Sequence, residues 1–287
     1  MNSLKKRGEL RACLSGEQCY FPASVYDPIS ARIAQDIGYE LTMFAGSLAS
    51  FTVLGAPDKM VLTLTELAEQ SRRICRASSI PLIVDADHGF GNALNVRRTV
   101  EELETAGVAG LTIEDTELPQ CFGKSPKSLI SVEETIGKFE AALDARQDIS
   151  LCIFSRTTAF NVVSQEEALA RIERYVYLPV DGLFLVGIKS WQQLEAVRRL
   201  TSLPILLGSF PENMKDTKRL ASLSVRIALE GHSTFAVACK AIYENMIKLR
   251  SRIDPSVAMK SAPEELVATI TQEALYKQWI QKYLQVH

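Results

Sequence analysis

The chain has 287 residues, 47% of them hydrophobic and 23% charged, with 15 Gly and 11 Pro, a balance that excludes a disordered or fibrous chain. Its 32 Lys and Arg against 34 Asp and Glu give a formal charge of -2, and no basic stretch is long enough for the phosphate contacts of a nucleic-acid binder. The length fits either two domains of ~150 residues or one barrel of roughly 250.

Lys5-Lys6-Arg7 is the longest basic cluster. No apolar segment follows it, so the N-terminus does not read as a secretory signal. A first apolar run, Tyr20–Val25, leads to Asp27, and Pro28 then opens a helix that Gly38 ends. A second run, Leu41–Phe44, begins a charge-free stretch reaching Pro57. Its Gly, Ser, Thr and Pro suit a buried strand and a loop through Gly46 and Ser47, not a membrane span. Thr63-Leu-Thr-Glu66 carries a capping box and starts the next helix. Runs at Pro81–Val84 and Gly110–Ile113 end in Asp85, Asp87 and His88 and in Glu114 and Asp115. Ser131-Val-Glu-Glu134 and Ser164-Gln-Glu-Glu167 repeat the capping signature on either side of Ser150–Phe154, which ends in Ser155 and Arg156. The last runs, Gly182–Val186, Ile205–Leu207 and Val225–Leu229, lead to Ser209 and to Gly231-His232.

Apolar runs alternating with amphipathic stretches predict a parallel sheet with right-handed crossovers. Eight units in roughly 230 residues fit a closed (β/α)8 TIM barrel better than an open sheet. One such α/β domain then spans residues 1–287, with helical appendages at the N-terminus and beyond Pro263 available for subunit contacts. The cysteines, at 13, 19, 75, 121, 152 and 239, form no CxxC pair or compact framework, which fits free thiols in a reducing cytosol.

A (β/α)8 barrel keeps its chemistry at the C-terminal ends of its strands, so the polar residues after each run are the candidates. Asp85 and Asp87, two apart at one strand end, can address one hard cation directly or through its waters, as Mg2+ is bound. The plainer alternative is an Asp-rich turn into the next helix, but Glu114 at the next strand end favours the metal. Gly89-Phe-Gly91 imitates a dinucleotide fingerprint whose third glycine is replaced by Leu94, so a nucleotide site is not expected. Arg156 suits a carboxylate-bearing substrate through its bidentate fork, or an ion pair with a mouth acid such as Glu114, and the two roles are compatible. Gly46 and Ser47 offer amides and a hydroxyl to carboxylate oxygens, although such pairs are common in loops. A lone histidine is more often structural, yet the place of His232 in the company of these acids and the arginine favours substrate contact. Cys121, with Lys124 nearby to lower its pKa, has no base beside it and is not expected to be a nucleophile.

Ser24-Val-Tyr-Asp27-Pro-Ile-Ser-Ala31-Arg32, Ala45-Gly-Ser47, Asp85-Ala-Asp87-His-Gly-Phe-Gly-Asn92, Ile113-Glu114-Asp115 and Ser155-Arg156 occur in that order. Over roughly residues 18–250 the chain resembles the isocitrate lyase/phosphoenolpyruvate mutase superfamily. The resemblance implies a (β/α)8 barrel whose last helix is swapped between partners, in a homodimer or homotetramer. It also implies Mg2+ holding an α-keto acid or enolpyruvate-like oxyanion. Carried onto this sequence, it makes Asp85 the principal Mg2+ ligand, with Asp87 and Glu114 holding the metal's waters and Asp58 as a further candidate. Gly46, Ser47 and Arg156 would hold the α-keto carboxylate. Mn2+ accepts the same hard oxygen ligands.

The loop after Glu114 separates the branches. Lyases carry a catalytic cysteine there. Aligned through Glu114-Asp115 and Gly123, it falls on Phe122 and the lyase histidine on Lys124, with Cys121 one place out of register. The mutase and phosphonate-hydrolase branch has Asn where Phe122 stands. What remains resembles the oxaloacetate decarboxylase branch, through Ala86–Asn95 and Gly231-His232. That branch has a tyrosine near the end of the seventh strand, where this chain has Phe210. The implied substrate is a small α-keto dicarboxylate: oxaloacetate would chelate Mg2+ through its keto oxygen and C1 carboxylate and lose its C4 carboxylate as CO2, leaving the enolate of pyruvate. His232 would contact the substrate. Two alternatives stay open: cleavage of a C–C or acetyl bond in a substituted malate or oxaloacetate, and binding of oxalate-like metabolites without turnover.

Overall fold

The computed structural model describes residues 3–120, 122–123, 128–251 and 261–284. Strands β1 (Ala23–Ser24), β2 (Thr42–Phe44), β3 (Leu82–Asp85), β4 (Gly110–Glu114), β5 (Cys152–Thr157), β6 (Gly182–Leu185), β7 (Ile205–Leu207) and β8 (Val225–Ala228) form one parallel sheet in sequential order. Tyr20 closes the ring: its N–H donates to the Arg226 carbonyl at 2.8 Å, and its carbonyl accepts from Ala228 N–H at 2.9 Å. The run expected as one strand over Tyr20–Val25 is split, because Pro22 has no N–H to give to a ladder. Ala23 and Ser24 pair with β2 beyond it. The sheet is the (β/α)8 arrangement that the run spacing predicts.

The helices before and between the early strands are α1 (Ser3–Ser15), α2 (Pro28–Ile37), α3 (Gly46–Ala49, continuing as a π turn), α4 (Leu64–Ala77), α5 (Ala93–Ala106) and α6 (Val132–Ala145). The remainder are α7 (Ala159–Val162), α8 (Gln165–Tyr175), α9 (Trp191–Leu200), α10 (Thr217–Ser222), α11 (Ser233–Arg250), α12 (Glu264–Thr271) and α13 (Glu273–Leu284). Thr63, Ser131 and Ser164 cap α4, α6 and α8, as their spacing to the following glutamates predicts. Asp27 caps α2: its carboxylate accepts from Ser30 N–H at 2.7 Å, and Asp27 N–H donates to the Ser30 hydroxyl at 3.0 Å. This acid therefore serves a helix end.

Alternate strand residues face the barrel axis. Ile83, Phe154, Phe184, Leu206 and Ile227 form an inner cluster with Leu10 and Leu14, while their strand neighbours Val84, Ile153, Leu183, Ile205 and Ala228 pack outward against helices. Burial on both faces is what near-continuous apolar strands require. The same parity turns inward the polar residues two places on, so Asp85 follows Ile83 and Arg156 follows Phe154. Register sets Thr112 beside Asp85 and Glu114 beside Arg156. Unlike the expected run, β5 continues past Phe154 to Thr157, and Arg156 lies within the strand instead of after it. Its polar residues stay in the ladder because partners meet them there: the Thr157 hydroxyl donates to Asp115 at 2.9 Å.

α1 seals the opposite end of the axis. Lys6 Nζ donates to the Cys75 and Ser78 carbonyls at 2.6 Å each, at the end of α4. Arg7 donates to the Glu104 and Val108 carbonyls at the end of α5. Cations placed at the negative ends of two helices are favoured there, so the basic run is a structural anchor. Leu10, fully buried in the inner cluster, is the apolar counterpart. Leu10→Ala is expected to lower the unfolding free energy by about 3 kcal/mol, read from urea unfolding; a loss below about 1 kcal/mol would mean that α1 is not part of the core.

α11 has no buried residue, and Val237, Ile242, Tyr243, Met246 and Ile247 are exposed along it. Beside it runs a groove of about 450 Å³ lined by Val25, Ile33, Ala34, Ile37, Thr234 and Val237. α12 returns to α2, where Arg32 Nη1 donates to the Ile270 carbonyl at 3.2 Å. Among the described residues, no helix is long and apolar enough to cross a membrane. Cysteines 13, 19, 75, 152 and 239 are free thiols; Cys121 and Lys124 lie outside the described residues.

Candidate active site

Asp85, Asp87, Glu114 and Arg156 meet at the C-terminal end of the axis. The three acids are 8%, 9% and 4% exposed, a depth at which carboxylates need partners or a metal. Asp85 is held from several sides. The Thr112 hydroxyl donates to its Oδ1 at 2.9 Å, Asp87 N–H donates to the same oxygen at 3.2 Å, and Arg156 Nη1 spans both oxygens. Arg156 Nε lies 3.4 Å from Glu114 Oε2, an ion pair without hydrogen-bond alignment. The Thr116 hydroxyl donates to that same Glu114 oxygen at 2.9 Å. The guanidinium carbon sits 5.4 Å from the centre of the Phe184 ring, a favourable cation–π placement. The ion-pair reading of Arg156 is therefore realised in this structure.

Asp87 is positioned by an unusual loop: Asp87, Gly89, Phe90 and Gly91 all adopt positive φ, a region in which Asp is better tolerated than most side chains. The loop presses the Asp87 carboxylate against the start of α3, where a Cβ on Gly46 would fall onto it. Gly46 is thus glycine because the acid occupies the space of a side chain. The N–H groups of Gly46 and Ser47, in the first turn of α3, have no intrahelical acceptor.

Burial pushes the Asp87 carboxyl well above the usual carboxylate range; Asp85, Glu114 and Asp58 push the same way, against Arg156. Burial also raises Glu114, which Arg156 opposes and Asp85 reinforces. Burial works against the charge of Arg156, but Asp85, Glu114 and Asp87 outweigh it and hold the guanidinium protonated. Asp58 is raised by burial and by Asp85. Hard oxygen donors in excess of positive charge fit a divalent cation of the Mg2+ kind. Among the described residues no three acids, histidines or cysteines converge tightly enough to enclose an ion alone, and Mg2+ ordinarily keeps several of its waters.

His232 precedes α11, with Ser24 Oγ 2.8 Å from its Nδ1. Burial lowers its pKa, and Asp85 and Asp58 oppose that shift, so the ring lies within the field of the acids. His88 differs. It is buried, its Nδ1 has no hydrogen-bond partner among the described residues, and burial with Lys138 nearby lowers it to about 4. Asp115, fully buried, accepts from the Thr157 and Tyr175 hydroxyls at 2.9 Å each and serves the fold. Ser209 is exposed, Phe210 packs on the apolar cluster around Leu207, and Phe122 is fully exposed. Sequence reading missed Ser24, Thr112 and Thr116. Thr112 carried a signal: it is a polar residue at inward parity, two before Glu114.

The phosphoenolpyruvate phosphomutase family matches residues 10–250. An oxaloacetate decarboxylase of Bradyrhizobium sp. (strain BTAi1) is 51% identical over 280 residues, covering 98% of this chain and 97% of that protein. An oxaloacetate acetylhydrolase solved in complex with the inhibitor 3,3-difluorooxalacetate gives a TM-score of 0.83 at 27% identity, covering 95% of each chain. A phosphonopyruvate hydrolase solved with oxalate and Mg2+ gives 0.83 at 25% identity, covering 98% of this chain and 99% of that one. The family match runs from α1 to the end of α11 and takes in the acids, Arg156 and His232: the chain belongs to the phosphoenolpyruvate phosphomutase family, within the superfamily that also holds the isocitrate lyases.

Proposed function

We propose that this chain catalyses the Mg2+-dependent decarboxylation of oxaloacetate to pyruvate and CO2. The observation that carries the reading is the buried Asp85–Asp87–Glu114 cluster with Arg156, in a chain similar over nearly its whole length to an oxaloacetate decarboxylase. Asp85 would hold the cation, with Asp87 and Glu114 on its waters; Mn2+ would find the same donors. When bound, the cation supplies positive charge where the keto oxygen becomes negative, a contribution of several kcal/mol.

The chain's own groups bind and orient. The Gly46 and Ser47 amides and the Ser47 hydroxyl take the C1 carboxylate. Arg156 shares the Asp85 oxygens with any cation held there, so occupancy at Asp85 frees Nη1 for that carboxylate while Nε stays with Glu114. His232 contacts the C4 end. The C3–C4 bond electrons pass into the enolate as CO2 leaves, and a proton on C3 completes pyruvate. No nucleophile is needed, in keeping with a phenylalanine at 122 where the lyases have cysteine.

Carbon-13 NMR of labelled oxaloacetate after incubation with the protein and Mg2+ separates this from its rivals. Pyruvate and CO2 support the reading. Oxalate and acetate would assign the site to acetyl hydrolysis, and oxalate binding without any product would make it a binding site. The proposal includes an assembly in a reducing cytoplasm, the compartment that free cysteines fit. The exposed apolar face of α11 and the groove beside α2 are what an exchange of α11 between two copies covers. Sedimentation equilibrium is expected to give a homodimer or homotetramer; a monomer at micromolar concentration contradicts the exchange.

A further inference from the structure

Ser24 ends β1 and His232 follows β8, so residues 208 positions apart meet where the barrel closes. Ser24 Oγ lies 2.8 Å from His232 Nδ1, and the Ser24 carbonyl accepts from the Thr234 hydroxyl at 3.2 Å. The next residue, Phe235, packs edge-on to Tyr26 and stacks on Phe51, with ring centres 5.4 and 5.7 Å apart. The start of α11 is therefore tied, just past the histidine, to Ser24 and to the Tyr26 and Phe51 rings. The His232 ring makes no other hydrogen bond among the described residues, which leaves Nε2 as its one ring nitrogen for a ligand.

Two proton arrangements of the neutral ring satisfy the contact. With the proton on Nδ1, Nε2 presents a lone pair; with the hydroxyl donating, Nε2 carries the N–H. The charged groups acting on the ring are the carboxylates of Asp85 and Asp58. A lone pair is repelled by that surrounding charge and an N–H is attracted by it. We propose that Ser24 is a positioning residue: its hydroxyl donates to Nδ1 and holds neutral His232 with its proton on Nε2, as a hydrogen-bond donor to the substrate. Held in this way, His232 orients a carboxylate and cannot act as a base. The catalytic consequence rests on the decarboxylase reading; the proton position does not.

Long-range proton–nitrogen correlation spectra of the ¹⁵N-labelled full chain show which ring nitrogen is protonated. The chain has three histidines, and the His232 signals are assigned by their loss in His232→Gln. The wild type is expected to carry the proton on Nε2. Ser24→Ala is expected to show a mixture of tautomers and to lower kcat/KM about tenfold, the scale of one lost hydrogen bond, while Ser24→Thr restores both. A wild-type proton on Nδ1 overturns the proposal, as does a Ser24→Ala protein with an unchanged tautomer or an unchanged kcat/KM. If no variant, nor the wild type, turns over oxaloacetate, the substrate reading fails, and the tautomer spectra still decide whether Ser24 fixes the ring.

Discussion

Replacing Asp85 with alanine is expected to lower kcat/KM for oxaloacetate by at least about 10³-fold and to abolish its response to Mg2+, since a Lewis-acid contribution of several kcal/mol is lost. No other acid in the cluster is placed to substitute. Asp85 is the carboxylate on which Thr112, the Asp87 amide and Arg156 all converge. The same substitution strands Arg156, leaving it with Glu114 at 3.4 Å. A buried guanidinium that loses its main partner costs about 3–5 kcal/mol, so the variant is also expected to unfold at lower urea. Near-ultraviolet circular dichroism at the assay temperature distinguishes lost chemistry from lost fold. A folded Asp85→Ala protein with wild-type turnover would remove Asp85 from the site.

Asp87→Asn is expected to act in opposite directions on activity and on stability. An aspartate in the unfolded chain titrates near 3.9, and the folded protein raises Asp87 well above its ordinary value, through burial first and neighbouring acids second. Between those two values the folded state binds more protons, so stability falls as pH rises through the window. At pH 7 the ionised carboxyl therefore opposes folding of the metal-free protein. Asparagine removes that opposition. The metal-free variant is expected to resist urea better than the wild type at pH 7, with the difference shrinking toward pH 4. Mg2+ reverses the order, because ligand binding to the folded wild type adds stability. Activity and Mg2+ affinity are expected to fall about 10- to 100-fold, as for outer ligands of a metal. Urea midpoints with and without Mg2+ check the pair of effects; a metal-free variant weaker than the wild type at pH 7 would show that the crowded acids carry no cost.

The acids were legible because two simple rules agree on them. Strand ends in a barrel face the mouth, and side chains two apart share a face, so Asp85, Asp87 and Glu114 stood out from apolar runs. Arg156 was legible as a candidate but not in its place, since an apolar run does not reveal that polar residues with waiting partners extend the strand. Pairings between distant segments were the least legible. Nothing local marks Ser24 as the neighbour of His232, or Lys6 and Arg7 as anchors for the ends of α4 and α5. Gly46 was legible as a candidate to hold a carboxylate, but the need for glycine there was not, because only the fold sets the Asp87 carboxylate against it. Pro22 carried a signal that the reading of Tyr20–Val25 as one run passed over: its missing donor splits the first strand.

The most direct test of the account follows pyruvate formation from oxaloacetate by the purified chain with Mg2+, against Mg2+ alone, excess EDTA and Asp85→Ala. Mg2+ alone decarboxylates oxaloacetate slowly, so the comparison with it is the one that counts. Rapid pyruvate release that disappears in EDTA and in the variant is the expected result. Pyruvate appearing no faster than with Mg2+ alone would contradict it.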